Sequence, residues 1–219
     1  MRLSWFYYVG RIITKLALLF LTHREVKGKE NIPDSGPLVI IANHLSVTDP
    51  PILGSSVNKK MIFMAKEELF HSRLTGYFIR SFGSFPVRRG VLDRKALQQS
   101  EEVLRQGMAL AMFPEGSRSP TAQLRPAFPG AALMALRSRA RILPVGITGT
   151  ENIKGKTWLF RRPSITINIG PAFELADTSH KLTKDKLIET TDIMMRRIAE
   201  LLPSRYQGVY AKNKGNQDD

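Results

Sequence analysis

The sequence contains no cysteine among its 219 residues. Disulfide bonds, zinc sites with thiolate ligands and thiol nucleophiles are therefore excluded. Histidine is also scarce, because the chain has only four and no two of them lie close together. This distribution argues against a histidine-rich metal site, and no metal is predicted.

Acidic and aromatic residues are also few. The chain has 19 Asp and Glu against 33 Lys and Arg, a formal net charge of +14, and 8% aromatic residues. A basic surplus of this size indicates a polyanionic partner, which could be nucleic acid, an anionic membrane surface, or phosphorylated substrates and carriers. Because the sequence has no block of basic and aromatic residues suited to stacking bases, a membrane or a phosphate is favoured and nucleic acid is not expected.

The chain also lacks a charge-free apolar run long enough to span a bilayer. Residues 3–21 are strongly apolar and predict a helix, but Arg11 and Lys15 interrupt them one turn apart. Charges at the centre of a bilayer are costly, so a narrow polar stripe beside a broad apolar face favours a helix lying in the membrane interface. The alternative is an amphipathic helix packed on the protein core. The basic surplus favours the membrane, and a peripheral location on the cytoplasmic face of the cell membrane is expected.

What the sequence does have is an alternation of strand and helix patterns. Strands are predicted at residues 38–42, 61–65, 82–90, 108–113, 142–147 and 164–170, and helices at 93–107, 128–136 and 183–202. In a chain long enough for one well-buried core, this alternation predicts a single α/β domain with a mixed, largely parallel central sheet flanked by helices. The expected organisation is an N-terminal helix (1–24), the α/β domain (25–203) and a loose C-terminal tail (204–219).

A histidine and an aspartate follow the first predicted strand. His44 stands at the strand end, and Asp49 begins the next helix, where it also suits the N-cap. A carboxylate that holds the Nδ1 proton leaves Nε2 free to accept another proton, which is general-base chemistry. The alternative is that Asp49 is only a cap and His44 only a polar residue. Spacing alone is weak evidence, because His180 and Asp185 repeat it in a polar run that reads as a solvated loop.

Other polar residues also stand where predicted strands end. Arg88 and Arg89 close one strand, and residues 115–118 follow another. In α/β sheets the carboxyl ends of the strands form the ligand crevice. A base–carboxylate pair facing arginines there suits the deprotonation of a substrate that bears a phosphate. The alternative for each arginine is ordinary surface charge in a strongly basic protein.

Four ordered blocks carry a resemblance to a known family. They are Asn43-His44-x-Ser46-x-x-Asp49, Gly83-x-Phe85-Pro86-Val87-x-Arg89 with Arg88, Phe113-Pro114-Glu115-Gly116-Ser117-Arg118-Ser119, and Leu143-Pro144-Val145. With them the sequence resembles the bacterial 1-acylglycerol-3-phosphate acyltransferases, the PlsC-like lysophospholipid acyltransferases. The segment Lys66-x-Glu68-Leu69 is similar to the family's segment between the first two blocks. The one departure is Ser117, where the family usually has Thr, and it keeps the hydroxyl.

The resemblance implies a reaction. His44 would take the proton of the sn-2 hydroxyl of lysophosphatidic acid while that oxygen attacks an acyl thioester, and Asp49 would hold the His44 tautomer. The acyl donor would be acyl-CoA or acyl carrier protein, as a co-substrate, with no cofactor and no enzyme nucleophile. Backbone N–H groups of the helix that starts near Asp49 are candidates for stabilising the oxyanion.

The resemblance also implies roles for the remaining residues of the blocks. The substrate phosphate would be held by Arg88 or Arg89, by Arg118 and by Lys66. The site would be shaped by Asn43, Ser46, Glu115, Gly116, Ser117 and Pro144. Among these, Glu115 either forms a turn with Gly116 or orients an arginine, and Pro144 places a strand end near the acyl chain.

Three other functions remain open from the sequence. The acceptor could be glycerol-3-phosphate or another lysophospholipid, since pocket shape decides this. A thioesterase-like hydrolase would use water instead, but it leaves the arginines without a role. A non-catalytic basic module that binds membrane or nucleic acid is disfavoured, because chance would not place four such blocks in order.

Overall fold

One sheet of seven strands organises the molecule. The computed structural model describes residues 5–88, 93–155, 157–175 and 183–211. The strands are β1 (His23–Lys27), β2 (Leu38–Ala42), β3 (Met61–Lys66), β4 (Ser84–Val87), β5 (Ala109–Met112), β6 (Arg141–Thr148) and β7 (Ser164–Ile169). Their order across the sheet is β1-β7-β6-β2-β5-β3-β4. Every neighbouring pair is parallel except β6 and β7, so the predicted mixed, largely parallel sheet is confirmed.

Helices cover both faces of this sheet. They are α1 (Trp5–Leu21), α2 (Asp49–Ser56), α3 (Arg73–Ser81), α4 (Arg94–Arg105), α5 (Gly130–Ser138), α6 (Trp158–Arg161) and α7 (Lys184–Ala199). The strand β2 is buried on both faces, which is why it reads as an uninterrupted apolar run. Its Val39 and Ile41 join the core beneath α4, α5 and α7, whereas Ile40 joins the core beneath α1 and α2. The predicted single α/β domain flanked by helices is therefore confirmed.

Three elements escape the sequence patterns. The strand β1 pairs with β7, but its residues are half-buried or exposed and only Val26 is apolar. The helices α3 and α6 are short, and neither buries an apolar side chain of its own. The predicted strand 82–90 is shortened to β4, and its last two residues, Arg89 and Gly90, lie outside the described residues.

The C-terminal segment is ordered further than expected. Residues 204–211, assigned to a loose tail, contain two 3-10 helices, Ser204–Tyr206 and Gly208–Tyr210. The Tyr206 side chain is buried in the core, and its hydroxyl donates a hydrogen bond to Glu151. The prediction of a loose tail is therefore wrong for residues 204–211. Residues 212–219 lie outside the described residues.

The helix α1 packs on the domain through the side that carries Tyr7, Arg11 and Leu18. Tyr7 and Leu18 are buried, and the Arg11 guanidinium donates to the carbonyls of Val57 and Lys59 at the end of α2. The opposite, apolar side of α1 is exposed. None of the helices in the described ranges has both the length and the apolarity needed to cross a membrane.

Candidate active site

The carboxyl ends of five parallel strands meet at one edge of the sheet. The strands β2, β3, β4, β5 and β6 run in the same direction, so their last residues face a common crevice. A cleft of about 1640 Å³ opens there. Six of the predicted site residues line it: His44, Lys66, Arg88, Gly116, Ser117 and Arg118. Lys154, which follows β6, also lines the cleft and was not identified from the sequence.

His44 and Asp49 are in direct contact. The Nδ1 atom of His44 lies 2.8 Å from the Oδ2 atom of Asp49. The same oxygen accepts the backbone N–H groups of Leu45, at 2.6 Å, and Ser46, at 2.7 Å. Because this oxygen already accepts two backbone N–H groups, it accepts from the imidazole as well, so Nδ1 carries the proton. Among the described residues, Nε2 makes no hydrogen bond. The Asp49 side chain is fully buried and that of His44 is 15% exposed.

The local sequence explains why the aspartate turns toward the histidine. The helix α2 begins at Asp49, but its N-cap residue is Thr48, and Pro50 follows in the first turn. Because the carboxylate points back into the loop rather than along the helix, Asp49 is not the cap that the sequence also allowed. The N–H groups of the loop converge on it and close the turn between strand and helix.

The His44 ring and backbone are held from the neighbouring strand. The ring stacks on Phe113, at the end of β5, with centroids 4.1 Å apart and an interplanar angle of 19°. The backbone N–H of His44 donates to Glu115 at 3.1 Å, and its carbonyl accepts the N–H of Ser119 at 2.8 Å. Sequence reasoning gave Phe113 no role. Its position directly after a strand, opposite His44, is the signal that could have found it.

Glu115 is a buried bridge between two loops. One carboxylate oxygen accepts the N–H of His44, and the other accepts the N–H of Arg125 at 3.1 Å. Burial raises the pKa of Glu115 to about 7, and the two backbone hydrogen bonds only partly oppose this shift. Glu115 does not line the cleft. Of its two predicted roles, shaping the turn fits these contacts, since the hydrogen bond goes to the backbone of an arginine and not to its guanidinium.

Arg125 supports the same loop and was missed from the sequence. Its guanidinium donates to the hydroxyl of Ser117 at 2.8 Å and to the carbonyl of Arg118 at 3.4 Å. Gly116 turns the chain between these contacts with φ +69°, a conformation that favours glycine. The predicted shaping residues Gly116 and Ser117 thus belong to a loop that is held by the hydrogen bonds of Arg125.

Three of the predicted phosphate-binding cations line the cleft, but two of them form ion pairs with neighbouring carboxylates. The Nζ atom of Lys66 lies 2.8 Å from Glu68, and the Nε atom of Arg88 lies 3.5 Å from Asp93. Within the described ranges, Arg118 has no acidic partner. Arg89, the alternative to Arg88, lies outside those ranges.

Three predicted shaping residues lie behind the cleft. The side-chain amide of Asn43 accepts from the N–H of Ile147 at 2.7 Å and donates to its carbonyl at 2.8 Å, which extends the pairing of β2 and β6. The Ser46 hydroxyl accepts from Thr48 at 3.0 Å. Pro144, predicted to place a strand end near the acyl chain, lies buried inside β6 and does not line the cleft. It fits there because pairing with β7 starts only at Val145, so its missing N–H leaves no gap in that ladder.

The expected oxyanion donors at the start of α2 are not free. Pro50 and Pro51 have no N–H, while the N–H groups of Asp49 and Ile52 donate to carbonyls of the same segment. The proposal of donors in that helix turn is therefore wrong. In the part of the chain that the structure describes, no group of three or more histidine or acidic side chains could hold a metal ion.

The fold and the cleft define a class of protein. A His–Asp pair with a free Nε2, set at the carboxyl edge of an α/β sheet beside several cations, is the arrangement of an enzyme that can deprotonate a substrate with an anionic group. A family model described as Acyltransferase matches residues 23–148. This range includes β1 to β6, the His44–Asp49 pair and the loop of residues 115–118.

Known proteins identify the family. The chain is 30% identical to the 1-acyl-sn-glycerol-3-phosphate acyltransferase of Bacillus subtilis over 178 residues, 81% of this chain and 87% of that protein. It is 35% identical to the enzyme of the same name from Streptococcus pneumoniae over 154 residues, 69% of this chain and 55% of that protein. The crystal structure of the 1-acyl-sn-glycerophosphate (LPA) acyltransferase PlsC from Thermotoga maritima superimposes with a TM-score of 0.67 at 25% identity, covering 89% of this chain and 79% of that one. The chain therefore belongs to the 1-acyl-sn-glycerol-3-phosphate acyltransferase family, as the four blocks predicted.

Proposed function

We propose that this acyltransferase transfers a fatty acyl group from an acyl thioester to the sn-2 hydroxyl of lysophosphatidic acid and so produces phosphatidic acid for phospholipid biosynthesis. The observation that carries the proposal is the free Nε2 of His44 in a cleft that also holds Lys66, Arg88 and Arg118. The cations suit the phosphate of the acceptor, and the apolar part of the cleft suits acyl chains. The thioester is either acyl-CoA or acyl carrier protein.

The reaction follows from the His44–Asp49 pair. Nε2 takes the proton of the acceptor hydroxyl as its oxygen bonds to the thioester carbonyl carbon. Asp49 stabilises the imidazolium that forms. The tetrahedral intermediate then collapses, the C–S bond breaks, and the imidazolium returns the proton to the leaving thiolate. Ser117 and Arg118 line the cleft, and their backbone N–H groups, which make no hydrogen bond among the described residues, are our candidates for binding the oxyanion.

The test is acyl transfer to lysophosphatidic acid in detergent, with release of thiol and formation of phosphatidic acid followed together. His44→Ala should lower turnover by roughly a hundredfold or more, because a general base contributes that much, and the variant should still fold, as a cooperative thermal transition would show. His23→Ala, which removes an exposed imidazole from β1, should behave as wild type. Acyl transfer at a near wild-type rate by His44→Ala would overturn the base assignment, and thiol release without phosphatidic acid would indicate water or another acceptor.

We also propose that α1 rests on the cytoplasmic face of the cell membrane. The support is its exposed apolar side, which includes Ile12, Leu16 and Leu19, together with the net positive charge. The variant Ile12→Gln/Leu16→Gln/Leu19→Gln should sediment with anionic vesicles much less than wild type. Ile188→Gln/Ile193→Gln, which removes exposed apolar side chains from α7, should sediment as wild type does. Equal sedimentation of the α1 variant and wild type would contradict the proposal.

A further inference from the structure

Lys154 lies in the connection between β6 and β7. It follows a 3-10 helix, Thr150–Asn152, and it lines the same cleft as His44. Because β6 and β7 are antiparallel, this connection leaves the sheet at the carboxyl end of β6 and returns at the same edge. The topology therefore holds Lys154 at the catalytic edge of the sheet, although it belongs to none of the four sequence blocks.

The segment that carries Lys154 is anchored to the protein core. Ile153 packs against the core beneath α1 and α2, and its backbone N–H donates to the carbonyl of Thr150 at 3.1 Å. The acidic residue of this segment, Glu151, accepts a hydrogen bond from the hydroxyl of Tyr206 and does not line the cleft. The backbone of Lys154 is thus held in place, and the acidic side chain nearest to it in sequence points elsewhere.

Most of the cations that line the cleft are already engaged. In the described part of the chain, the lysine and arginine side chains that line it are those of Arg11, Lys66, Arg88, Arg118 and Lys154. Arg11 donates to two backbone carbonyls, and Lys66 and Arg88 each pair with a carboxylate. Among the described residues, Arg118 and Lys154 form no ion pair. Their charges are available to an anionic ligand.

Arg118 and Lys154 follow strands on opposite sides of His44. The sheet order places β6, β2 and β5 side by side, and His44 follows the middle strand of these three. Lys154 follows β6, whereas Arg118 follows β5. Lys66 and Arg88 stand at the ends of the next two strands, β3 and β4. The base therefore separates Lys154 from the three cations that suit the acceptor phosphate.

We propose that Lys154 binds the phosphate at the end of the pantetheine arm of the acyl donor. The inference rests on the proposed function, in which the acceptor hydroxyl and the thioester carbonyl meet at His44. The acceptor phosphate takes the side with three cations, which leaves the side of Lys154 to the donor. Coenzyme A and acyl carrier protein carry the acyl group on the same phosphopantetheine arm, so a single ammonium group at this place can bind the phosphate of either donor.

The test compares three donors that differ only beyond the thioester: acyl-pantetheine, acyl-phosphopantetheine and acyl-CoA. Lys154→Ala should lower kcat/KM for the two phosphorylated donors roughly tenfold or more, because a charge-assisted hydrogen bond is lost. Its kcat/KM for acyl-pantetheine, which has no phosphate, should stay within about twofold of wild type. Lys154→Arg, which keeps the charge, should retain most of the activity with the phosphorylated donors.

Three results would overturn the assignment. They are an equal loss with all three donors, no loss with any of them, and a loss with acyl-CoA alone, which would place the contact on the nucleotide. The expected loss should also appear with acyl carrier protein if the wild type uses that donor. A wild-type protein that forms phosphatidic acid from none of these donors would instead overturn the proposed function.

The acceptor and the net charge need separate controls. The KM for lysophosphatidic acid should be unchanged in Lys154→Ala, and a rise in this KM alone would assign Lys154 to the acceptor and overturn the proposal. Lys29→Ala removes one positive charge as well. Lys29 is exposed and follows β1, which runs antiparallel to β6 and so ends at the opposite edge of the sheet. This variant should use all three donors as wild type does, and a loss like that of Lys154→Ala would show an effect of net charge and overturn the contact.

Discussion

Asp49 concentrates its hydrogen bonds on a single oxygen. Its Oδ2 atom accepts from His44, Leu45 and Ser46, whereas the buried Oδ1 atom has no partner among the described residues. Two of these donors belong to the loop backbone, so the carboxylate is fixed whether or not the imidazole is charged. Asp49 can therefore orient the His44 ring before the reaction and stabilise its charge during it.

Glu115 should make stability depend on pH. Its pKa is raised from 4.5 to about 7 by burial, so between about pH 4.5 and 7 the folded protein holds a proton that the unfolded chain has lost. The contribution of Glu115 to the free energy of unfolding therefore falls as pH rises through this window. Glu115→Gln should flatten this part of the pH profile, measured by urea unfolding at several pH values.

The same variant should also disturb the site. The carboxylate of Glu115 accepts hydrogen bonds from the backbone N–H groups of His44 and Arg125. In the glutamine variant the amide nitrogen would face one of these two N–H groups, which would lose its acceptor. We therefore expect a lower turnover at all pH values. A profile as steep as that of wild type between about pH 4.5 and 7 would show that Glu115 does not titrate there.

At the scale of residues, the sequence predicted the His44–Asp49 contact better than the residues that support it. His44 and Asp49 were recognisable because a short loop joins a strand to a helix, and a buried strand is legible from its apolar run. Phe113, Glu115 and Arg125 brace His44 from residues about seventy to eighty positions away. Such contacts depend on which strands are neighbours, and no local pattern reports that.

At the scale of elements, the residue that caps the C-terminus of α5 allows a test of stability. Arg139 ends α5 with φ +49°, and its side chain is exposed. A left-handed conformation costs a non-glycine residue about 1 kcal/mol. Arg139→Gly should therefore raise the free energy of unfolding by about 1 kcal/mol, and the melting temperature by roughly 2–4 °C for a chain of this size.

Arg139→Ala is the matched control for this prediction. It removes the same side chain but keeps the Cβ atom that makes the positive φ unfavourable, so it should give no comparable gain. Stabilisation of the same size by alanine would mean that the charge of Arg139, and not its backbone, is the source of the effect.

The elements that were missed share a physical cause. The sequence does not distinguish α3 from a loop, because its apolar side chains do not face the core. Similarly, β1 is recognisable only from its pairing with β7. The orientation of α1 could not be predicted either, since Arg11 satisfies carbonyls at the end of α2 that lie nearly fifty residues away.

Deleting residues 1–22 would be a less specific test of membrane contact than substituting the exposed side of α1. The deletion removes Leu18 from the core and the Tyr7 hydroxyl from the N–H of Met61, so loss of vesicle binding could follow from unfolding. Substitutions on the exposed side of α1 leave these contacts in place, and they separate membrane contact from stability.

At the scale of the whole molecule, much of the acidic charge is used locally. Glu102 pairs with Arg105, Glu189 with Lys186, and Asp192 with Arg196, each within one turn of its helix. Each pair cancels one cation, and the surplus of +14 remains for an external partner. Anionic lipid attracts such a surplus over a distance that salt controls.

The charge surplus should therefore appear as salt-dependent membrane binding. Raising the salt from about 0.1 M to about 1 M shortens the screening length from roughly 10 Å to 3 Å. The affinity for vesicles with anionic lipid should then fall by roughly tenfold or more, since each cation near the surface contributes about 1 kcal/mol. Binding to zwitterionic vesicles, measured by the same sedimentation assay, should be weak and nearly independent of salt, because only the apolar face of α1 contributes. Salt-independent binding to anionic vesicles would mean that apolar contact alone holds the protein on the bilayer and that the basic surplus serves the phosphorylated substrates instead.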